Sequence, residues 1–118
     1  MSAAALRHYQ HQAVRSASPA ALVDKLYGIG VTAARAGDPV RTRRVLVELS
    51  SALDVERGGP LAESLRELYA FAIRSANAGD LGIVADLLDG LRDAWRAGPL
   101  ATERAGGPVS VAEPALAA

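Results

Sequence analysis

The chain has 118 residues, a formal net charge of zero and no cysteine. That length suits one domain, and the balanced charge gives no reason to expect nucleic acid as a partner. The lack of cysteine excludes disulfides, thiolate chemistry and sulfur metal ligands. No stretch approaches the ~20 apolar residues that span a bilayer, and Met1 to Arg15 contain no apolar run of signal-peptide length. We therefore expect a cytoplasmic protein without membrane insertion.

Turn residues divide the chain into four predicted helices. A serine or aspartate followed by proline is a strong helix start, because the side chain caps a free N–H and proline has none to lose. A glycine after the last apolar residue accepts the left-handed conformation that ends a helix. Between these signals apolar residues recur at three- and four-residue steps, and no segment alternates as a half-buried strand does. The expected starts and stops are Ser18–Pro19 and Gly37, Asp38–Pro39 and Asp54, Pro60 and Gly79, and Asp80 and Gly98.

Four helices joined by very short loops pack as antiparallel neighbours. The sequence therefore predicts an all-α fold, an antiparallel up-down four-helix bundle over residues 18–97. A leader with a short N-terminal helix is predicted over residues 1–17, and a disordered C-terminal tail over residues 98–118. Close helix contact, simple tolerance or a pliable bundle could each explain the glycines inside the helices. These are Gly28, Gly30, Gly82 and Gly90.

The sequence offers no pattern of a catalytic or metal site. His8 and His11 are the only histidines, and neither follows a glutamate at the spacing of a di-iron bundle. Ser50 and Ser51 have no histidine available as a base, and no phosphate loop or nucleophile elbow is present. We therefore expect a protein that is not an enzyme, with no cofactor and no metal.

An ordered series of short motifs resembles one family, the FliS-type flagellar secretion chaperones. Each fragment alone is common in proteins, but their order over residues 9–95 on one antiparallel bundle is much more specific. The motifs are Tyr9 and Gln12 before Ala17-Ser18-Pro19, Leu26-Tyr27, Leu53-Asp54, Gly58-Gly59, Leu61-Ala62, Leu68-Tyr69, Ala76-Asn77, Leu91-Arg92 and Trp95.

The chain resembles a member of this family with shortened helices. Between Tyr27 and Asp54 it is shorter than typical members by roughly four helical turns, and between Tyr69 and Trp95 by roughly two. In an up-down bundle the two shortened hairpins trim the same end, so the end near Gly58 and Gly59 keeps its length.

The resemblance implies a cytoplasmic export chaperone that binds the C-terminal segment of flagellin, prevents premature polymerisation and aids flagellar secretion. That segment would fold as it docks into apolar grooves between the bundle helices. Tyr27 and Tyr69, with an apolar ring and a polar tip, are expected in a half-exposed groove wall. The leader is expected to cover part of the groove, and ordinary core packing is the alternative for each leucine. The candidate flagellin-binding residues are Leu6, Tyr9, Leu22, Leu26, Tyr27, Leu61, Leu65 and Tyr69.

The alternative function is a helical module that mediates homodimer assembly or adapts a partner other than flagellin. Its grooves would then be filled by a second copy or by that other partner. A bundle of roughly 80 residues buries only a modest core, which makes a homodimer plausible under either function.

Overall fold

The computed structural model describes residues 19–104 of the chain. Within this part the ordered elements are all helices, which confirms the predicted all-α fold. None of the described helices is both long and apolar enough to cross a bilayer. The helices are α1 (Pro19–Arg35), α2 (Pro39–Ser51), α3 (Val55–Asn77), α4 (Leu81–Ala97) and the short α5 (Pro99–Arg104).

The four long helices pack in the predicted up-down order. α1 lies between α2 and α4, and α3 also contacts α2 and α4, so α1 and α3 occupy diagonal corners of the bundle. Short turns reverse the chain between successive helices, which makes neighbours antiparallel. The core consists mainly of alanine, valine and leucine side chains, with two tyrosines and one tryptophan among them.

Local chemistry sets most helix ends where the sequence predicts them. The Arg41 N–H donates a 3.0 Å hydrogen bond to the Asp38 carboxylate, which caps α2. Gly37 and Gly79 adopt φ values of 72° and 86°, the left-handed conformation that turns the chain after α1 and after α3. Asp80 lies at the predicted N-cap position of α4, but its side chain makes no capping hydrogen bond.

A helical run begins at Pro60, as the sequence predicts, but one further helical turn precedes it in the same helix. α3 begins at Val55, and the Gly58 N–H donates to the Asp54 carbonyl at 2.7 Å. Gly59 then interrupts the helix with φ 60° and ψ −144°. Because Gly59 can turn the chain and Pro60 can start a new helical run without an N–H, the glycine-proline pair produces a kink inside α3.

The first residues of the tail predicted to be disordered, residues 98–118, are instead helical. Pro99–Arg104 form α5, which packs against α4 and α1. Leu100 is only 2% exposed and belongs to the core. This buried side chain anchors the short helix on the bundle. The predicted leader and the remainder of the tail, residues 105–118, lie outside the described residues.

Gly30 marks a close approach of three helices. A Cβ atom at this position would lie 2.7 Å from Leu88 Cδ1 on α4 and 3.1 Å from Val45 Cγ1 on α2. Both distances are shorter than ordinary carbon contacts, so a methyl group here would force the Leu88 and Val45 side chains to move. Gly82 and Gly90, in contrast, have no atom within 4 Å of such a Cβ. Close contact therefore explains Gly30, whereas α4 simply tolerates its two glycines.

We expect Gly30→Ala to lower the free energy of unfolding and Gly90→Ala to raise it. Overpacking costs about 1–3 kcal/mol, whereas replacing glycine by alanine in a helix gains up to ~1 kcal/mol. The net loss at Gly30 is therefore about 1 kcal/mol, and the gain at Gly90 is unopposed. Urea denaturation followed by circular dichroism measures both. A Gly30→Ala midpoint equal to or above that of the wild type would contradict the close packing.

Candidate partner-binding surface

The structure divides the predicted binding residues between the core and the surface. Leu26, Tyr27, Leu65 and Tyr69 are buried, and Leu22 is partly buried. Leu61 alone among the described candidates is well exposed, with 58% of its surface accessible. The two leader candidates, Leu6 and Tyr9, lie outside the described residues. In this conformation the four buried residues cannot contact a partner. They act indirectly, by supporting the surface that lies above them.

Tyr27 and Tyr69 do not form a half-exposed groove wall, as the sequence predicts, but lie in the core. They are 1% and 2% exposed, and their hydroxyl groups share a 2.6 Å hydrogen bond. A tyrosine hydroxyl group needs a hydrogen bond, either to water or to another protein group. Because each hydroxyl supplies the other's partner, both rings can be buried completely. The pair joins α1 to α3 across the diagonal of the bundle.

Burial also changes the acid-base behaviour of this pair. It raises the pKa of Tyr27, although the hydrogen bond with Tyr69 acts in the opposite direction. Burial raises the pKa of Tyr69 as well, and the neighbouring Tyr27 raises it further. Both phenols therefore stay protonated at neutral pH and hold a hydrogen bond rather than serving as bases.

Trp95 adds a second polar link to the aromatic core. Its indole N–H donates a 2.8 Å hydrogen bond to the Ala20 carbonyl of α1. Its ring meets Tyr27 edge-on, with centroids 6.3 Å apart and planes inclined by 68°. A neighbouring apolar cavity, bordered by Tyr69 and Trp95, measures about 10 Å³, too small for a ligand. These aromatic residues are therefore part of the framework.

We expect a double-mutant cycle to show coupling between the two tyrosines. Tyr27→Phe or Tyr69→Phe alone leaves one buried hydroxyl unpaired, which costs about 1–3 kcal/mol of stability. The double variant removes both hydroxyls, so its loss should be well below the sum of the single losses. Chemical denaturation of the three variants and the wild type measures the coupling. Additive losses would argue against a direct hydrogen bond.

The same pair predicts an alkaline limit of stability. Both folded pKa values lie above the unfolded value of about 10, so the stabilisation is complete below that pH and is lost as pH rises beyond it. The unfolding midpoint in an alkaline titration should therefore move upward when both tyrosines are replaced by phenylalanine. Circular dichroism gives the midpoint, and phenolate absorbance shows whether the wild-type tyrosines ionise only on unfolding. Ionisation of all tyrosines near pH 10 in the folded protein would contradict this expectation.

An apolar stripe is exposed along α3. We call Leu61, Leu68 and Phe71 the α3 stripe; they are 58%, 36% and 43% exposed. Their spacing of seven and three residues places them on one side of the helix. Leu61 lies one turn before buried Leu65, and Leu68 one turn before buried Ala72. The stripe therefore borders the core-facing side of α3, where a docked segment could meet the bundle.

The other large exposed apolar residues do not form such a surface. Val40 and Val47 lie two turns apart on α2, on the side away from its buried residues. Ile83 is the exposed apolar residue of α4, at 51%. Isolated apolar residues are normal on a protein surface. The α3 stripe is therefore the best candidate for a contact with a partner.

The described residues contain no cluster of metal ligands. No three His, Cys, Asp or Glu side chains between residues 19 and 104 are placed to hold a metal. The Ser50 and Ser51 hydroxyls donate to the carbonyls of Leu46 and Val47, one turn earlier in α2, at 2.9 Å. These hydroxyls are thus engaged with their own helix.

Comparison with known proteins agrees with the motif pattern. A family model described as "Flagellar protein FliS" matches residues 1–101. The match spans the leader, the four long helices and the start of α5, and it confirms the family resemblance. Among curated proteins and solved structures, none matches the chain.

Proposed function

This chain belongs to the flagellar protein FliS family, a family of flagellar export chaperones, and we propose that its cargo is flagellin. In this proposal the protein binds the C-terminal segment of flagellin in the cytoplasm. Binding keeps that segment from polymerising before export and thereby aids flagellar secretion. No catalytic step is part of the proposal.

The observation that carries the proposal is the exposed α3 stripe. From Leu61 to Phe71 the helix rises about 15 Å, which matches roughly three turns of a partner helix. An amphipathic segment recognises such a surface through apolar residues that recur at three- and four-residue steps. Covering its apolar side on the chaperone would remove the surface through which flagellin subunits pack.

The remaining candidate residues have different parts in this proposal. Leu61 contacts the flagellin segment directly, and partly buried Leu22 is a second possible contact from α1. Leu65 and Tyr69 lie beneath the stripe in the core, and Leu26 and Tyr27 support them from α1. We retain the leader, with Leu6 and Tyr9, as a proposed cover of the groove in the free protein.

A homodimer or an adaptor for a partner other than flagellin is the alternative. The observation that favours it is the same stripe, because a row of apolar residues on one helix can pair with its symmetry copy in a twofold dimer. The two functions then differ only in what covers Leu61, Leu68 and Phe71.

Calorimetric titration with a flagellin C-terminal peptide tests the proposal. We expect tight binding with a gain in helicity, because the peptide folds as it docks. Leu61→Glu and Phe71→Glu should each weaken binding by at least about tenfold, because a carboxylate would be buried against apolar surface. Ile83→Glu is the matched control, since Ile83 is similarly exposed but lies on α4 outside the stripe; its affinity should equal that of the wild type.

Two outcomes would contradict the flagellin proposal. One is a folded protein that gives neither binding heat nor added helix. The other is equal weakening by the stripe and the control variants. Sedimentation of the chain alone tests the alternative. The homodimer module would be favoured if the wild-type protein is a dimer that does not bind flagellin and if Leu61→Glu dissociates that dimer.

A further inference from the structure

A cleft lined by basic residues lies on the outer side of α1, the helix diagonal to α3. It measures about 420 Å³ and is open to solvent. Four of its residues come from one side of α1, with one arginine each from α2 and α4. We call this site the basic cleft; its lining residues are Lys25, Gly28, Ile29, Thr32, Arg41 and Arg92.

The basic cleft has an excess of positive charge. Its lining includes three cationic side chains and no carboxylate. Within residues 19–104, neither Lys25 nor the Arg41 side chain takes part in an ion pair. Arg92 pairs with Asp89 at 2.6 Å, but Asp89 also lies 3.5 Å from Arg35, so one carboxylate serves two arginines. An anion that enters the cleft therefore meets two cations, Lys25 and Arg41, without an ion pair among the described residues, and competes with Asp89 for Arg92.

Both arginines of the cleft also have a buried donor without an acceptor. The Nε atoms of Arg41 and Arg92 are buried, and neither has a hydrogen-bond partner among the described residues. A buried donor without a partner is unfavourable, and a guanidinium group pairs best with a planar oxyanion. Both guanidinium groups line the cleft. A carboxylate there would supply the acceptor that the free protein lacks.

Arg92 lies close to Gly28 beside the cleft. A Cβ at Gly28 would lie 3.5 Å from Arg92 Nη1, so this guanidinium group reaches from α4 to the backbone of α1. The lack of a side chain at residue 28 also leaves the floor of the cleft open. The charged groups of three helices are thereby brought to one surface.

We propose that the basic cleft binds the carboxylates of an acidic segment of a protein partner. Lys25 and Thr32 are seven residues apart on α1, so the cleft extends about 10 Å along the helix. That extent, together with its openness, suits two carboxylates on one peptide better than a single enclosed anion. The site shares no residue with the α3 stripe and does not depend on flagellin as cargo.

Fluorescence anisotropy with a labelled oligoglutamate peptide tests this assignment on the full chain. We expect binding that weakens as salt is added. The double variant Lys25→Gln/Arg41→Gln should lose at least about tenfold in affinity, because both unpaired cations of the cleft are removed. The matched control Arg43→Gln/Arg74→Gln changes the net charge equally outside the cleft and should bind within about twofold of the wild type. Circular dichroism verifies that each variant is folded.

Three results would overturn the proposal. The first is no binding of the peptide by the wild-type chain. The second is an equal loss in the cleft and control variants, which would indicate diffuse attraction. The third is displacement of the peptide by inorganic phosphate that binds equally well, which would assign the cleft to a free oxyanion. Lys25→Gln alone changes an exposed side chain, so we expect it to weaken peptide binding in a protein that keeps the wild-type circular dichroism spectrum.

Discussion

The hydrogen bond between the Tyr27 and Tyr69 hydroxyls determines how this small bundle can be built. It joins α1 and α3, which are diagonal to each other, through the centre of a core that is otherwise mostly aliphatic. Two phenol rings can occupy that centre only because each hydroxyl satisfies the other. Trp95 follows the same rule, since its N–H is bonded to the Ala20 carbonyl. Tyr27, Tyr69 and Trp95, three aromatic residues of the family motifs, therefore act first as framework. The surface available to a partner is what this framework leaves outside.

The sequence predicts the helices well because their ends depend on local chemistry. Asp38 caps α2 through an N–H three residues away, and Gly37 needs only its own left-handed conformation. The burial of the tyrosines could not be predicted in this way. Each hydroxyl bonds to a partner 42 residues away along the chain. The sequence does not show this partner, so it cannot distinguish a buried, paired tyrosine from one whose hydroxyl reaches water. The burial of Leu100 could not be predicted either, because the six residues of α5 are too few to show a helical period.

The candidate surface was predicted only at Leu61, and the geometry of α3 explains why. The apolar residues from Leu61 to Phe71 look like one continuous core-facing stripe in the sequence. Successive four-residue steps drift by about 40° around a helix, however, so one face cannot bury all of them. Leu65 and Ala72 take the buried positions, while Leu68 and Phe71 remain at the border. The sequence feature that indicates this surface is an apolar stripe on α3 that is wider than the side of the helix facing the core. The basic cleft had no comparable signal, because its cations come from three helices.

Trp95 gives the molecule a fluorophore of its own. It is the single tryptophan of the chain, and it lies in the core where the end of α4 meets the start of α1. Its emission therefore responds to the polarity and the separation of these two helices. The α3 stripe and the Ala20 carbonyl lie on diagonal helices, so the indole distinguishes a ligand that only covers the outside of α3 from one that opens the α1–α4 contact. Without any label, the intensity and wavelength of this emission separate surface docking from rearrangement of the bundle.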